Sequence, residues 1–240
     1  MKLPLILAGV ALLGAQLSPA VANAAPRTYS YAVTHPRYGV IGTYDRTMSD
    51  ANGLARAQSR LRVTVKILGV VVHRENADQT EAWDGTRLIS FDSITTTNGR
   101  RIEVRGEARD NGFQVTSPKG TQTAPANVVA SDPWSLNHMG PGVVVSIKSG
   151  KIDPVNVTGG EADAVTFRGV STPARHFHVR TATQPNKWEV WIDQQGVPIK
   201  FRSLESSGAI DFNLVSPASQ ARGGANRVAL GESPSSSDVR

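Results

Sequence analysis

The chain has 240 residues, no cysteine, and 26 basic against 20 acidic residues, which gives a net charge of +6. Without cysteine it has no disulfides, no thiolate metal ligands and no cysteine for lipid attachment. The mild basic excess favours encounter with anionic partners.

The first 24 residues have the pattern of a secretory signal peptide. Lys2 precedes an apolar run that ends in the small-residue sequence Ala22-Asn23-Ala24, so cleavage is predicted after Ala24. The run is shorter than the roughly 20 apolar residues that span a bilayer, and no other stretch is apolar enough to do so. We therefore expect a periplasmic protein with no transmembrane segment.

Residues 25–216 are predicted to form one domain, because about 190 residues are enough to bury a single core. From Pro217 onward the chain is rich in Ser, Gly, Ala and Pro and poor in large apolar residues. Such a composition cannot offset the entropy of ordering the chain. Residues 217–240 are therefore predicted to be a disordered C-terminal tail.

Apolar and polar residues alternate in segment after segment, which is typical of strands with one buried face. The first clear case is "RLRVTVKI", residues 60–67. Turn sequences such as Asn98-Gly99 separate such segments. The alternation places the following side chains in the interior: Leu61, Val63, Val65, Ile67, Ile102, Val104, Phe177, Val179, Trp188, Val190, Ile199, Phe201, Ile210 and Phe212.

These segments predict an all-β fold with little helix. A long antiparallel meander with a single apolar face must bury that face against itself. We therefore expect one strongly curved antiparallel meander sheet, either a half barrel or a barrel. A sandwich of two sheets is the alternative.

Several segments resemble an uncharacterised family, a domain of unknown function, of exported β-proteins from Gram-negative bacteria. The best markers are "EAWDG" at residues 81–85, Trp134, and "WID" at residues 191–193. The resemblance covers Arg27 to Leu214, and the family is similar in pattern to the lipoprotein-carrier type of half barrel. The resemblance implies a half-barrel fold and export of the protein, but it implies no activity.

The apolar interior is the predicted ligand site, since open barrels usually bind ligands there. Trp134 lies in the long connection "SDPWSLNHMGPG" and is expected to cover the interior. Glu81 and Trp83 share one side of a strand and are interpreted as a packed strand end. The predicted ligand-binding residues are Trp134, Trp83, Phe177, Trp188, Phe201 and Phe212.

Basic residues form ladders on the polar faces of three predicted strands. Such ladders are usually solvated, although they can also attract anionic lipid headgroups of the envelope. Nucleic acid is disfavoured as a partner, because export separates the protein from it and the ladders lack interleaved aromatic residues. The ladders consist of Arg60, Arg62 and Lys66, then Arg101 and Arg105, and then Lys200 and Arg202.

The sequence "ARHFHVR" places His176 and His178 on one side of a strand. If residues 183–186 close a symmetric hairpin, Arg180 lies opposite Glu189, His178 opposite Trp191 and His176 opposite Asp193. A polar ladder in which histidine packs on tryptophan explains this composition. The alternative is a divalent metal site formed by His176, His178 and Asp193.

The sequence shows no Gly-x-Ser-x-Gly nucleophile elbow and no phosphate-binding loop, so an enzyme is not expected and no cofactor is predicted. The favoured function is non-enzymatic binding or transfer of a lipid or other amphiphile during envelope maintenance. The alternatives are a structural or interaction module without a ligand cavity, and the divalent-metal-binding protein.

Overall fold

A computed structural model describes residues 25–51, 53–135, 142–182, 187–205 and 208–220. The predicted signal peptide therefore lies outside the described residues, as do residues 221–240 of the predicted tail. The last strand runs to Gln220, four residues beyond the predicted domain boundary at 216. Among the described residues there is no helix with the length and apolar character needed to cross a membrane.

The described residues form strands that follow one another through short turns. In chain order they are β1 (Arg27–His35), β2 (Gly39–Ala51), β3 (Leu54–Ile67), β4 (Val70–Asp84), β5 (Arg87–Thr97), β6 (Arg100–Arg109), β7 (Gly112–Ser117), β8 (Gly120–Ala124), β9 (Val129–Ala130), β10 (Gly142–Val145), β11 (Ile152–Phe167), β12 (Val170–Thr181), β13 (Trp188–Ile192), β14 (Pro198–Glu205) and β15 (Gly208–Gln220).

All of these strands belong to one sheet. β1 to β8 form an antiparallel meander, β10 to β15 form a second one, and the pairing of β1 with β15 joins the two. β9 pairs with β10 in parallel, so β8 and β9 are the two edges of the sheet. The sheet is curled but not closed. The prediction of an all-β, strongly curved meander with little helix is confirmed.

The smaller of two apolar cores joins the two edge regions of the curled sheet. Its side chains come from β5 to β8 on one side and from Val128 and β10 on the other. Phe91 and Phe113 stack in this core with ring centroids 6.0 Å apart. A side chain at Gly106 would overlap both rings, so only glycine fits between them.

The larger core lines the rest of the curled sheet, including β1, β2, β3 and β11 to β15. Every side chain predicted to face the interior is buried or packs against one of the two cores, except Ile67. Ile67 is 43% exposed. That prediction was wrong because a β-bulge shifts the pairing of β3 with β4 between Val65 and Lys66, and the hairpin then extends beyond the core.

The pairing of β12 with β13 differs from the predicted register by two residues. His176 lies opposite Trp191 and His178 lies opposite Glu189, so the predicted opposition of His176 with Asp193 is wrong. A shift by an even number of residues leaves every side chain on its face of the sheet. The histidines and Trp191 therefore still share one face. The predicted connection, residues 183–186, lies outside the described residues.

Gly106→Ala is expected to lower the free energy of unfolding by about 1–3 kcal/mol, because the new methyl group must displace the stacked rings of Phe91 and Phe113. Urea unfolding measures the change. Gly99→Ala is the control for local backbone strain, because its φ of 87° disfavours alanine but open space surrounds it. A smaller loss in Gly106→Ala than in Gly99→Ala would contradict the close packing described here.

Candidate functional site

The curled sheet encloses two cavities, one towards each end of its strands. The first end, called the mouth end, carries the turns after β1, β3, β5, β7, β10, β12 and β14. Cavity 1 opens there and has a volume of about 690 Å³. Cavity 2 lies towards the opposite end, called the far end, and has a volume of about 860 Å³. Both volumes lie within the range of about 300–1,000 Å³ that is usual for small-molecule sites.

Cavity 1 is mainly apolar, and it lies between β2, β3 and β4 on one side and β13, β14 and β15 on the other. Period-two alternation brings apolar side chains of these strands to its wall. Three of the predicted ligand-binding residues, Trp188, Phe201 and Phe212, line it. The other apolar residues of its wall include Val33, Ile41, Tyr44, Leu61, Val63, Val65, Ala77, Val190 and Ile210.

Charged side chains surround the opening of cavity 1. Glu75 on β4 forms an ion pair with Lys148 in the turn after β10, with 2.5 Å between Nζ and Oε1. Lys187, directly before β13, and Glu205, the last residue of β14, also line the cavity. A ligand with an apolar body and an ionic head would therefore meet apolar walls inside and charges at the opening.

A buried cluster of charged side chains lies between the two cavities. Arg46 of β2 is 2% exposed, and its Nη2 donates a hydrogen bond of 2.8 Å to Oε2 of Glu81 on β4. Its Nη1 donates to Oγ of Ser59 at 3.1 Å and lies 3.6 Å from Oδ1 of Asp132. Asp132 follows β9 and also accepts from the backbone N–H of Trp134. The cluster therefore ties β2, β3 and β4 to the connection after β9.

Residues of this cluster face both cavities. Ser59, Gln79 and Asp132 line cavity 1, whereas Arg46 lines cavity 2. Gln79 and Trp83 each donate a side-chain hydrogen bond to Glu81. The cluster is therefore a polar partition across an otherwise apolar interior.

One cation and two carboxylates share this buried site, which leaves one carboxylate in excess. Burial raises the pKa of Glu81 to about 7, against the lowering effect of Arg46. Burial acts to lower the pKa of Arg46, but the carboxylates of Asp132 and Glu81 more than reverse this effect, so Arg46 remains charged. Below this pKa a proton on Glu81 offsets the excess negative charge of the partition, which is favourable because an unpaired buried charge is costly.

Cavity 2 is the more polar of the two and contains the remaining tryptophans predicted to bind ligand. Trp83 and Trp134 both line it. The ring of Trp134 packs on Tyr29, with centroids 4.6 Å apart. Trp134 thus covers part of the interior, but at the far end rather than over cavity 1. Phe177 packs against the larger core and does not line either cavity.

The two histidines of β12 belong to a polar cluster on the outer face of the sheet. The ring of His176 stacks on Trp191, with centroids 4.1 Å apart and planes 13° apart. Burial, followed by the neighbouring His178, lowers the pKa of His176, so its ring is neutral at neutral pH. Nε1 of Trp191 donates to Asp163 of β11 at 2.8 Å.

Asp193, the third predicted metal ligand, is turned away from the histidines. Its Oδ1 accepts hydrogen bonds from the backbone N–H groups of Gln195 and Val197 in the turn after β13. Within the described ranges, no group of three or more histidine, aspartate and glutamate side chains is placed to hold a metal ion. The geometry therefore matches the stacked polar ladder, with the register corrected.

The basic ladders on the strand faces are largely matched by acids on the same or neighbouring strands. The closest ion pairs, each 3.3 Å or less between nitrogen and oxygen, are Arg60–Asp78, Arg62–Asp78, Arg101–Glu103, Arg105–Asp92 and Arg202–Asp211. Because the charges compensate locally, these faces do not form an uninterrupted basic surface.

The partition was not predicted from the sequence. Arg46 lies two residues from Tyr44 on an inward-facing alternation, and Glu81 alternates with Ala77 and Gln79 on another. The available signal was two opposite charges at inward-facing positions, Arg46 on β2 and Glu81 on β4. Asp132 gave none, because its contact with Arg46 depends on how the chain folds back after β9.

The chain belongs to the family described as a domain of unknown function, DUF6134, whose model matches residues 37–215. No curated protein matches the sequence. A crystal structure of a β-barrel-like protein of domain of unknown function DUF1849 from Brucella abortus aligns with a TM-score of 0.58 and 10% identity, covering 81% of this chain and 97% of that chain. A DUF1089 family protein from Pseudomonas aeruginosa aligns with a TM-score of 0.39 and 11% identity, covering 65% and 87%. The first likeness shows the fold alone.

Glu81→Gln is expected to remove part of the pH dependence of stability. In the folded protein the pKa of Glu81 is about 7, against an ordinary value of 4.5. Between pH 4.5 and pH 7, Glu81 is therefore protonated in the folded state but ionised in the unfolded state. The resulting stabilisation is present at low pH and is lost as the pH rises through 7, by on the order of 2 kcal/mol between pH 5 and pH 8.

Urea unfolding at pH 5 and pH 8 tests this expectation, with the exposed Glu107→Gln as the control. The wild type and Glu107→Gln should lose more stability over this interval than Glu81→Gln does. An identical loss in all three proteins would show that Glu81 does not hold the proton.

Proposed function

We propose that this member of the DUF6134 family binds one amphiphile in cavity 1 and carries it within the periplasm without chemically changing it. The observation that carries the proposal is an apolar chamber of about 690 Å³ that opens at one end and meets the polar partition at the other. The apolar part of the ligand would lie between the wall of β2 to β4 and the wall of β13 to β15.

The proposed ligand has an anionic head that would contact the lysines at the opening, where Glu75 and Glu205 also lie. Lys148 and Lys187 lie at the rim of cavity 1, and the ion pair of Lys148 with Glu75 can be exchanged for a contact with the ligand. The apolar body gains free energy of about 25 cal/mol for each Å² removed from water. The partition is expected to stop the apolar chain, because Arg46 and Glu81 would lose their hydrogen bonds if it passed.

The periplasmic location is part of this proposal and is supported by the sequence pattern of residues 1–24. A carrier role also agrees with the absence of a nucleophile elbow in the sequence. The predicted lipid or amphiphile is thereby assigned to cavity 1, and Trp188, Phe201 and Phe212 are its proposed contacts.

Ala77→Phe is expected to weaken amphiphile binding by roughly 10-fold or more, because a buried alanine of the cavity 1 wall becomes a ring that occupies the chamber. The measurement is titration with a fluorescent fatty acid in detergent-free buffer. Ala55→Phe is the matched control, because Ala55 lies on the neighbouring strand and lines cavity 2.

The wild type and Ala55→Phe should bind the fluorescent fatty acid alike. Urea unfolding of the three proteins confirms that each is folded under the binding conditions. Equal binding by Ala77→Phe, or no binding by any folded form, would contradict the proposal.

A further inference from the structure

The tip of the β3–β4 hairpin exposes an unusual run of large apolar side chains. Leu68 is 99% exposed, Val70 65% and Val72 48%, and Ile67 and Val71 are also exposed. These five residues, with Gly69, are called the apolar tip. Single exposed apolar residues are ordinary on protein surfaces, but a contiguous group marks a contact surface.

The backbone of this turn makes leucine an unfavourable choice. Within the described ranges, three two-residue turns have a positive φ at both positions, and their first residues are Leu68 at 48°, Asn98 at 49° and Arg168 at 51°, each followed by glycine. Such turns favour asparagine or aspartate at this position, and a bulky residue there is strained. Because Leu68 is also almost fully exposed, packing within the described chain does not explain it.

The apolar tip lies beside the opening of cavity 1. Val72 is the extra residue of the β-bulge, since Val65 pairs with His73 and Lys66 pairs with Val71. Val72 and His73 both line cavity 1. A surface that holds the tip would therefore face the opening of the cavity.

Among the described residues, basic side chains outnumber acidic ones at the mouth end, where the tip lies. The turns at this end and their flanking residues also carry the acids Glu75, Asp153 and Glu205. Glu75 is paired with Lys148, and Asp153 is paired with Lys151. The basic residues at this end are Arg37, Lys66, Arg74, Arg100, Lys119, Lys148, Lys151 and Lys187.

We infer that the apolar tip inserts into the surface of an anionic lipid bilayer and holds the opening of cavity 1 against it. Apolar side chains enter the boundary between headgroups and acyl chains, while lysine and arginine contact anionic headgroups. Charge complementarity favours a bilayer over a second copy of this chain, whose mouth end has the same positive charge. The inference holds whether or not cavity 1 carries a ligand.

Co-sedimentation with vesicles tests this inference. The protein is used in the form in which the expressing cells produce it. Binding is measured to phosphatidylcholine vesicles with and without phosphatidylglycerol. The wild type should prefer the anionic vesicles, and added salt should weaken its binding. Leu68→Asn should weaken binding by roughly 10-fold, because it removes the most exposed apolar side chain. It should leave the unfolding midpoint unchanged or raised, because asparagine suits this turn.

A pair of valines provides the matched control. Val70 and Val170 each follow such a turn directly, and each is 65% exposed, but Val170 lies at the far end. Val70→Asn should weaken vesicle binding, whereas Val170→Asn should not. Equal effects of the two changes, or no preference of the wild type for anionic vesicles, would overturn the inference.

Two further readouts separate this inference from other outcomes. Gel filtration could show that the wild type is a dimer and that Leu68→Asn is not. If the wild type also fails to bind vesicles, the tip contacts a second copy of the chain and the inference is overturned. Titration with the fluorescent fatty acid should be the same for Leu68→Asn and the wild type. If vesicle binding depends on Leu68 while no form binds the fatty acid, the proposed function fails and the membrane contact stands.

Discussion

The buried guanidinium of Arg46 is the interaction on which the arrangement of the interior depends. A cation that is 2% exposed must be paired and hydrogen-bonded, and Glu81, Asp132 and Ser59 provide its partners. These partners come from three different parts of the chain. Their convergence holds the connection after β9 against the inner face of β2 to β4, and it divides the interior into two cavities.

The two ends of the sheet consequently differ in chemistry. Cavity 1 is bounded by the partition at its base and opens at the mouth end, next to the apolar tip and a set of basic residues. Cavity 2 contains Trp83 and Trp134 and opens away from that surface. In the proposed account, a membrane-facing opening and an apolar chamber work together, and the partition keeps the apolar chain of the ligand at the mouth end.

The sequence was sufficient to predict the curved meander and the inward-facing residues, because period-two alternation recurs along the chain and depends only on local spacing. It failed at Ile67, where a bulge interrupts the alternation, and in the register of β12 with β13, where the turn was assumed to be symmetric. The ion pairs of Arg46 were missed because they join residues distant in sequence, and Asp132 lies in a segment without periodic pattern.

The most direct test of the central claim, that cavity 1 carries an amphiphile, is native mass spectrometry of the protein purified without detergent from the cells that express it. The account predicts a mass increase from one bound amphiphile, which organic extraction releases and Ala77→Phe reduces. A protein of unmodified mass, with no amphiphile in its organic extract, would contradict the account.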